Sequence, residues 1–311
     1  MNNDGNPSRP RVRNILLATD FSAFSETALY YAAAIARHTG ATVHLAHVIV
    51  PEAWQYLCAE TMPIPFEQLR EGAERQMTYF LQSEALKDVP HRAWIEEGPV
   101  WDALESLIQH QHIDLAVVGT HGRTGLKKLL LGSVAEEIIR VSPCPVLAVG
   151  PQAERHRASE IREVLFATDF TTESLAALPF ALDQAHNYGA HLTFLHVVPE
   201  PGRKSLPDPA RVVTCLQGKL KALIPAEATN GSEPDCLVKI GEPAEIILQT
   251  AQDIPADVIV LGVHASGALP GHSLGTTVYK VICEATCPVL TAAGEAARAA
   301  FAEDLVAHAS D

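Results

Sequence analysis

Short runs of apolar residues alternate with longer amphipathic segments along most of the chain. Runs rich in Val, Ile and Leu are typical of strands buried on both faces of a parallel sheet, and apolar residues three and four apart indicate helices. The first half is predicted to contain five strands and four helices in alternation: strands 14–19, 42–48, 92–97, 114–118 and 145–149, and helices 24–38, 66–86, 100–111 and 134–141. This pattern indicates an α/β fold with a doubly wound parallel sheet.

Local signals predict where several helices begin and end. Gly40 follows two basic residues and is expected just beyond the end of the first helix. Ser133 and Glu136 have the spacing of a capping box, which predicts that Ser133 caps the fourth helix. In the second half Pro179 falls inside the corresponding first helix, where a kink or a shortened first turn is expected.

The second half of the chain repeats the motifs of the first half in the same order. The Ala-Thr-Asp-Phe sequence at 18–21 recurs at 167–170, an offset of 149, and the Cys-Pro-Val-Leu sequence at 144–147 recurs at 287–290, an offset of 143. The second copy is therefore six residues shorter between its second and third strands. The repeat divides the chain into a disordered leader, domain one, a linker, domain two and an amphipathic tail: 1–11, 12–150, 151–161, 162–293 and 294–311.

The last predicted strand of each domain, 145–149 and its copy in domain two, is apolar. Because an unpaired apolar edge strand invites aggregation, we expect these two strands to cover one another about a pseudo-twofold axis. The two domains would then pack as an intramolecular pseudo-dimer. A monomer and a homodimer of such chains are both compatible with this arrangement.

Composition and charge exclude several classes of protein. The 311 residues include 23 Lys and Arg against 37 Asp and Glu, a net charge of −14, which argues against nucleic-acid binding because phosphate backbones are held chiefly by basic clusters. No apolar stretch approaches the ~18 residues of a spanning helix, and the start lacks a signal-peptide pattern, so a cytoplasmic protein without membrane contact is expected. The six cysteines form no CxxC pair and are expected to be buried thiols rather than metal ligands.

A glycine-bearing, basic segment follows the fourth predicted strand. Glycines allow backbone amides to approach an anion, and the N–H groups of a helix that begins at Ser133 favour phosphate. The spacing fits neither the Walker P-loop nor the dinucleotide Gly-x-Gly pattern. From these residues alone, a phosphate site and an ordinary solvated connection before a capped helix both stay open. The residues concerned are Gly119, Gly122, Arg123, Lys127, Lys128, Gly132 and Ser133.

The spacing of this segment resembles a known nucleotide motif. Gly119, two residues, Gly122, nine residues and Gly132-Ser133 are similar to the motif of the universal stress protein family. The Ala-Thr-Asp-Phe, His-Val, Gly-x-His and Cys-Pro-Val-Leu sequences resemble that family in both halves, so the chain resembles a tandem universal stress protein. The resemblance implies an adenine-nucleotide alpha hydrolase-like fold and binding of ATP, with or without Mg²⁺.

The binding residues of the family can be carried over position by position. Asp20 and the residue two before it would lie against the nucleoside, and the Val of His-Val would contact adenine through its backbone. The glycines and the start of the fourth helix would border the ribose and phosphates. With Arg123 from the basic segment, the candidate site comprises Ala18, Asp20, Val48, Val118, Gly119, Gly122, Arg123, Gly132, Ser133 and Val134.

Several of these residues also have a purely structural interpretation. Asp20 could cap the first helix, and Ser133 could cap the fourth whether or not a ligand is bound. His47 and its twin His196 end their strands beside apolar residues, where a hydrogen-bonded structural histidine is expected. His121 is expected to be a turn residue, and the basic side chains could form a solvated face.

Domain two departs from the motif. Ala265 replaces the middle glycine, and the stretch 262–277 contains no Lys or Arg, so a triphosphate would meet only backbone amides and histidines. A weaker nucleotide site, a less charged adenine ligand and a purely structural role as built-in dimer partner are all open. The weaker site would comprise Asp169, Val197, Gly262, Gly275 and Thr276.

The chain contains no HExxH or paired-Asp motif. The predicted function is a cytoplasmic stress-response or signalling module that binds ATP, mainly in domain one, and responds to occupancy by changing conformation or protein partner. One alternative is slow ATP hydrolysis or self-phosphorylation, with Ser133 or Thr124 as acceptor. The other is an interaction scaffold without nucleotide. The sequence names no protein partner.

Overall fold

The computed structural model describes residues 12–50, 66–121, 131–200, 209–225, 233–263 and 274–293. The predicted leader and tail and the predicted site residues Gly122 and Arg123 lie outside the described residues. Strands and helices alternate in domain one: β1 (Asn14–Ala18), α1 (Ala23–Thr39), β2 (Thr42–Ile49), α2 (Phe66–Phe80), β3 (His91–Glu97), α3 (Val100–His110), β4 (Leu115–Gly119), α4 (Ser133–Val141) and β5 (Val146–Val149).

Domain two follows the same order, with its first helix in two parts. Its elements are β6 (Glu163–Ala167), α5 (Thr172–Leu175), α6 (Leu178–Tyr188), β7 (His191–Val198), α7 (Pro209–Ala222), β8 (Asp235–Ile240), α8 (Pro243–Asp253), β9 (Val258–Val263), α9 (Thr276–Glu284) and β10 (Val289–Ala293). The break between α5 and α6 lies at the predicted position, with Pro179 in the first turn of α6. A proline fits there because the first helical amides need no partner within the helix.

All ten described strands form one sheet in the order β3-β2-β1-β4-β5-β10-β9-β6-β7-β8. Neighbouring strands within each domain are parallel, whereas β5 and β10 pair antiparallel at the centre through Val146↔Thr291, Leu147↔Leu290 and Ala148↔Val289. The predicted mutual covering of the two apolar strands is therefore confirmed. In domain one, β2 and β4 lie on opposite sides of β1, so the strand order reverses at β1 and leaves a crevice at the carboxyl ends of β1 and β4.

Two hydrophobic cores cover the two faces of the sheet, and each continues across both domains. Alternate residues of β1 divide between them: Ile15 and Leu17 face the first core and Leu16 the second. The first core packs α1, α2 and α6 onto the sheet, and the second packs α3, α4, α8 and α9. Continuous burial on both faces explains why the strands read as unbroken apolar runs.

The structure corrects two of the predicted helix limits. The helix expected over 66–86 ends at Phe80, and the remainder is a separate 3₁₀ turn at Glu84–Leu86 whose N-cap, Ser83, accepts a hydrogen bond from Ala85 N. Ser133 is not a cap, because Gly132 occupies the N-cap position and Ser133 is the first helical residue. No side-chain capping bond is formed at Gly132.

Gly40 has the predicted position beyond α1, with a left-handed φ of 73° that a residue without Cβ adopts easily. The linker after β5 packs back onto α1. Tyr31 donates a hydrogen bond to the carbonyl of Glu154 (2.9 Å), and Arg155 forms an ion pair with Glu26 (2.9 Å). The domains also touch where His38 stacks on Tyr188, with ring centroids 4.2 Å apart.

None of the helices in the described ranges is long and apolar enough to cross a bilayer. The described cysteines are all free thiols. Cys144, Cys283 and Cys287 are buried as expected, whereas Cys215 is exposed and Cys236 is half-buried, because α7 and β8 lie at the edge of the sheet.

Candidate functional site

A cavity of about 270 Å³ lies at the carboxyl ends of the domain-one strands, where the strand order reverses. Eight of the ten residues predicted for the domain-one site line it, and the other two, Gly122 and Arg123, are outside the described residues. The eight come from β1 and the turn after it, β2, β4 and the start of α4: Ala18, Asp20, Val48, Val118, Gly119, Gly132, Ser133 and Val134.

The turn after β1 fixes the position of Asp20. Its Oδ1 accepts a hydrogen bond from the backbone N of Ser22 (3.0 Å), and Ser22 in turn caps α1 by accepting from Ser25 N (3.2 Å). The alternative that Asp20 itself caps the helix is therefore wrong. Phe21, between them, has a φ of 61°, a conformation that costs a non-glycine residue about 1–3 kcal/mol and is kept where the surroundings fix the turn.

The same turn is present in domain two, where Phe170 has a φ of 65° and Asp169 Oδ1 accepts from the N and the Oγ1 of Thr171 (3.0 and 2.6 Å). Desolvation of the carboxylate at this turn opposes its charged form, but the hydrogen bonds that it accepts, led by those from Thr171, outweigh it and hold the pKa of Asp169 below its ordinary value. Asp169 is thus ionised at neutral pH. The two domains share the architecture of this turn and differ in the segment after the fourth strand.

The histidines near the carboxyl ends of β2 and β7 are hydrogen-bonded to the residue that follows the neighbouring strand. His47 Nδ1 donates to the carbonyl of Thr19 (2.8 Å), and His196 Nδ1 donates to the carbonyl of Thr168 (2.8 Å). The His47 ring also packs against Phe21, with centroids 4.4 Å apart. These contacts support a structural role in holding the Asp-bearing turn, although His47 also lines the cavity.

Gly119 allows α1 to approach β4. A Cβ at this position would lie 3.0 Å from the carbonyl carbon of Phe24 and 3.1 Å from Ser25 N, so the first turn of α1 leaves no room for a side chain. At the equivalent Gly262 the space is smaller still, since a Cβ would overlap the carbonyl oxygen of Glu173. Both glycines are therefore explained by packing between helix and strand, independently of any ligand.

Gly132 differs from Gly119. Its φ of −64° and ψ of 141° are open to any residue, and among the described atoms a Cβ would meet only Thr120 O, at 3.4 Å, an ordinary contact. Nothing in the described residues therefore requires a glycine at this position. The same holds for Gly275 at the start of α9, where a Cβ would meet nothing within 4 Å among the described atoms.

The amino end of α4 opens onto the cavity. Gly132, Ser133, Val134 and Ala135 all line it, and the first acceptor used within the helix is Gly132 O, which binds Glu136 N (2.9 Å). The amides of the first turn consequently have no acceptor in the helix, and they carry the positive end of its dipole. Such a helix end is suited to an anion.

His121 forms part of the cavity wall and is 8% exposed. Its Nδ1 lies 3.0 Å from Thr120 Oγ1 and its ring packs against Phe24, whereas Nε2 is buried without a hydrogen-bond partner among the described residues. Burial lowers the pKa of His121 and keeps the ring neutral at pH 7. Its sequence position indicated a turn residue, and the structure adds a buried ring.

The rest of the lining could not be predicted from motifs. Val100 and Leu104 of α3 and Ile138 of α4 supply apolar surface opposite Val48 and Val118, and the remaining residues are Thr19, Ser25, Ala46, His47, His121 and Ala135. Asp20 is the one carboxylate among these lining residues. Within the described ranges, no group of three His, Cys, Asp or Glu side chains comes close enough to hold a metal ion.

The predicted second site is only partly described. Asp169 is exposed after β6, Val197 is near the end of β7, Gly262 lies within β9, and Gly275 and Thr276 begin α9. Residues 264–273, which include Ala265, fall outside the described residues.

Comparison with known proteins identifies the family. The model of the universal stress protein family matches residues 11–150 and again residues 160–292. The chain belongs to the universal stress protein family. A universal stress protein of Mycolicibacterium smegmatis is 26% identical over 285 residues, which cover 89% of this chain and 95% of the relative.

Two further comparisons show a shorter relative and a solved structure. Universal stress protein A homolog 1 of Coxiella burnetii is 37% identical over 139 residues, 44% of this chain and 95% of the relative. The crystal structure of a universal stress protein from Archaeoglobus fulgidus has a TM-score of 0.67 and 23% identity, and covers 90% of this chain and 98% of its own. The tandem arrangement of two α/β domains is thus shared with known members of the family.

Proposed function

We propose that this universal stress protein binds ATP in domain one and that occupancy of this site changes its conformation or its choice of protein partner. The observation that carries the proposal is Gly132. Gly132 lines the cavity at the amino end of α4, and among the described residues neither its backbone conformation nor its packing requires a glycine, so the absent side chain keeps this end of the helix open to a ligand in the cavity. The spacing of the glycine motif around it supports the same ligand.

Different parts of the cavity suit different parts of ATP. Val48, Val100, Leu104 and Ile138 offer an apolar surface for a purine, and the volume of about 270 Å³ is close to the lower end of the ~300–1,000 Å³ typical of small-molecule sites. Asp20 can accept hydrogen bonds from ribose hydroxyls.

The phosphates would leave this pocket along the start of α4. There the backbone amides of the first turn and the hydroxyl of Ser133 can donate hydrogen bonds to the phosphates, and the helix dipole favours the negative charge of the phosphates. Any Mg²⁺ would arrive with the phosphates, and Asp20 is the lining carboxylate available to it or to its water shell.

A binding role fits the site better than an enzymatic one. Asp20 is the one carboxylate among the lining residues, whereas phosphoryl-transfer sites use one group to hold Mg²⁺ and a second to orient the nucleophile. Domain two is proposed as the weaker nucleotide site, because its segment 262–277 contains no Lys or Arg to neutralise a triphosphate.

Isothermal titration with MgATP tests the proposal through a matched pair of variants. Gly132→Val should abolish binding because its side chain fills the space before α4, while Gly275→Val, at the equivalent N-cap of α9, should leave the main binding event unchanged. Circular dichroism checks that both variants fold. Equal binding by Gly132→Val and the unaltered chain would refute the site, and release of phosphate faster than background, lost in Asp20→Asn, would instead favour a slow ATPase.

A further inference from the structure

Helix α9 of domain two contacts the segment that leads into α4 of domain one. The backbone N of Leu131 donates a hydrogen bond to Tyr279 Oη at 3.3 Å, across 148 residues of sequence. Leu131 is 7% exposed and directly precedes Gly132, the N-cap at the rim of the cavity. Domain two thus supplies a side chain to the segment on which the proposed phosphate end of the site is built.

Two successive amides of this segment are held by different domains. Leu131 N is bound by Tyr279 of domain two, and Gly132 N donates to Thr120 O of domain one at 2.8 Å. Gly132 O then accepts the first hydrogen bond of α4, from Glu136 N. The positions of the backbone amides in the first turn of α4, which begins at Ser133, therefore depend on an acceptor from each domain.

The domain interface places Tyr279 firmly. Antiparallel pairing of β5 and β10 brings α4 and α9 onto the same face, where Ile138 of α4 and Ile282 of α9 share one core. At the carboxyl end of α9, a Cβ on Gly150 would lie 3.5 Å from Ala285 O and 3.6 Å from Ile282 O, so domain one packs directly against the helix backbone. Tyr279 is thus presented from a helix fixed against both domains.

This contact breaks the pseudo-twofold symmetry of the molecule. Equivalent residues in this part of the repeat are 143 positions apart, so Tyr279 corresponds to Glu136 and Leu131 corresponds to Leu274. In the described part of the chain no hydrogen bond joins Leu274 to Glu136. Domain two therefore supports the segment before α4, and domain one offers no equivalent tyrosine to the segment before α9.

We propose that Tyr279 is a positioning residue of the domain-one nucleotide site, through which domain two completes that site across the interface. The inference rests on the proposed function, since it assigns Tyr279 a part in nucleotide binding without contact to the nucleotide. Loss of its hydroxyl removes the oxygen acceptor of this amide and leaves the Cys283 thiol, a weaker acceptor, as the neighbouring group within its reach, which loosens the Leu131–Ser133 segment. The phosphates would then meet amides that are no longer fixed in place.

Tyr279→Phe tests this directly, because it removes one oxygen and keeps the ring. We expect the Kd for MgATP, measured by isothermal titration, to rise about three- to tenfold, as for one lost hydrogen bond. Tyr31→Phe is the matched control: it also removes a hydroxyl that holds a distant backbone group, the carbonyl of Glu154, but it does not touch the cavity. The Tyr31→Phe variant should bind MgATP with the same Kd as the unaltered chain. Its melting temperature should change by an amount similar to that of Tyr279→Phe.

Hydrogen exchange gives a readout that needs no nucleotide. Without ligand, the amide of Leu131 should exchange faster in Tyr279→Phe than in the unaltered chain or in Tyr31→Phe. Unchanged ATP affinity in Tyr279→Phe, or equal weakening in both variants, would overturn the proposal. If the unaltered chain binds no ATP, the proposed function itself fails and the nucleotide role of Tyr279 fails with it, whereas faster exchange at Leu131 would still identify the contact between the domains.

Discussion

The first and last glycines of the nucleotide motif, Gly119 and Gly132, should respond differently to alanine: the first substitution should lower stability and the second should lower ATP affinity. At Gly119 the added Cβ would lie 3.0–3.1 Å from three backbone atoms of Phe24 and Ser25, so the start of α1 has to move by a few tenths of an ångström. Overpacking of this kind costs about 1–3 kcal/mol. For a domain of this size each kcal/mol lowers the melting temperature by roughly 2–4 °C.

At Gly132 the same substitution meets one contact at 3.4 Å and an allowed backbone conformation. The lower entropy of the unfolded chain stabilises Gly132→Ala by about 0.4–1 kcal/mol. Because alanine is a poorer N-cap than glycine, a loss of similar size opposes this gain. The net change in stability should therefore be close to zero, while the methyl group intrudes on the ligand and weakens ATP binding.

Thermal unfolding followed by circular dichroism, together with isothermal titration, separates the two effects. Gly119→Ala should melt several degrees lower than the unaltered chain, and Gly132→Ala should melt within about 2 °C of it with a higher Kd for MgATP. If Gly132→Ala is the less stable of the two, or binds ATP as tightly as the unaltered chain, the assignment of these glycines to packing and to ligand is wrong.

Three further predictions concern single side chains. Asp20→Asn should weaken ATP binding about tenfold in isothermal titration, since a neutral amide accepts a weaker hydrogen bond from ribose than a carboxylate does. The matched variant Asp169→Asn should leave the main site unaffected. Equal effects of the two substitutions would place the main site elsewhere. His121→Phe should change the stability of the ligand-free protein by less than about 1 kcal/mol in urea titrations, because it removes both the Nε2 that has no partner in the described structure and the contact of Nδ1 with the buried Thr120 hydroxyl, which act in opposite directions. A loss well above about 1 kcal/mol would contradict this balance. Burial raises the pKa of Tyr188 to about 12, and the nearby carboxylate of Asp183 adds to the shift. Because this tyrosine ionises at lower pH in the unfolded chain, the stability of the protein should fall as pH rises from about 10 to 12. A Tyr188→Phe variant that loses as much stability over this range would contradict the assignment.

The order of elements could be predicted because strands buried on both faces leave long apolar runs in the sequence. The first and last residues of the helices were less predictable, since they depend on single residues. The capping-box spacing pointed to Ser133, but Gly132 one residue earlier adopts the extended N-cap conformation, so Ser133 is the first residue of the helix. The helix expected to reach residue 86 ends at Phe80, where the chain turns before the cap at Ser83.

The binding motif was predictable where its residues are local in sequence, and the floor of the cavity was not. Val100 and Leu104 carry only the ordinary signature of an amphipathic helix, and only the packing of α3 against β2 directs them toward Val48. Tyr279 left no signal, because its contact with Leu131 joins two domains and has no counterpart in the repeat. Gly119 read as part of a nucleotide motif, yet packing alone accounts for it.

The central claim, one ATP site in domain one supported by a second domain with a weaker site, is tested most directly by native mass spectrometry. The protein is measured as purified and after addition of MgATP, and the nucleotides bound to each chain are counted. We predict one tightly bound ATP per chain, which Gly132→Val removes and Gly275→Val retains. Two sites of equal affinity, or no bound nucleotide at any ATP concentration, would contradict the account.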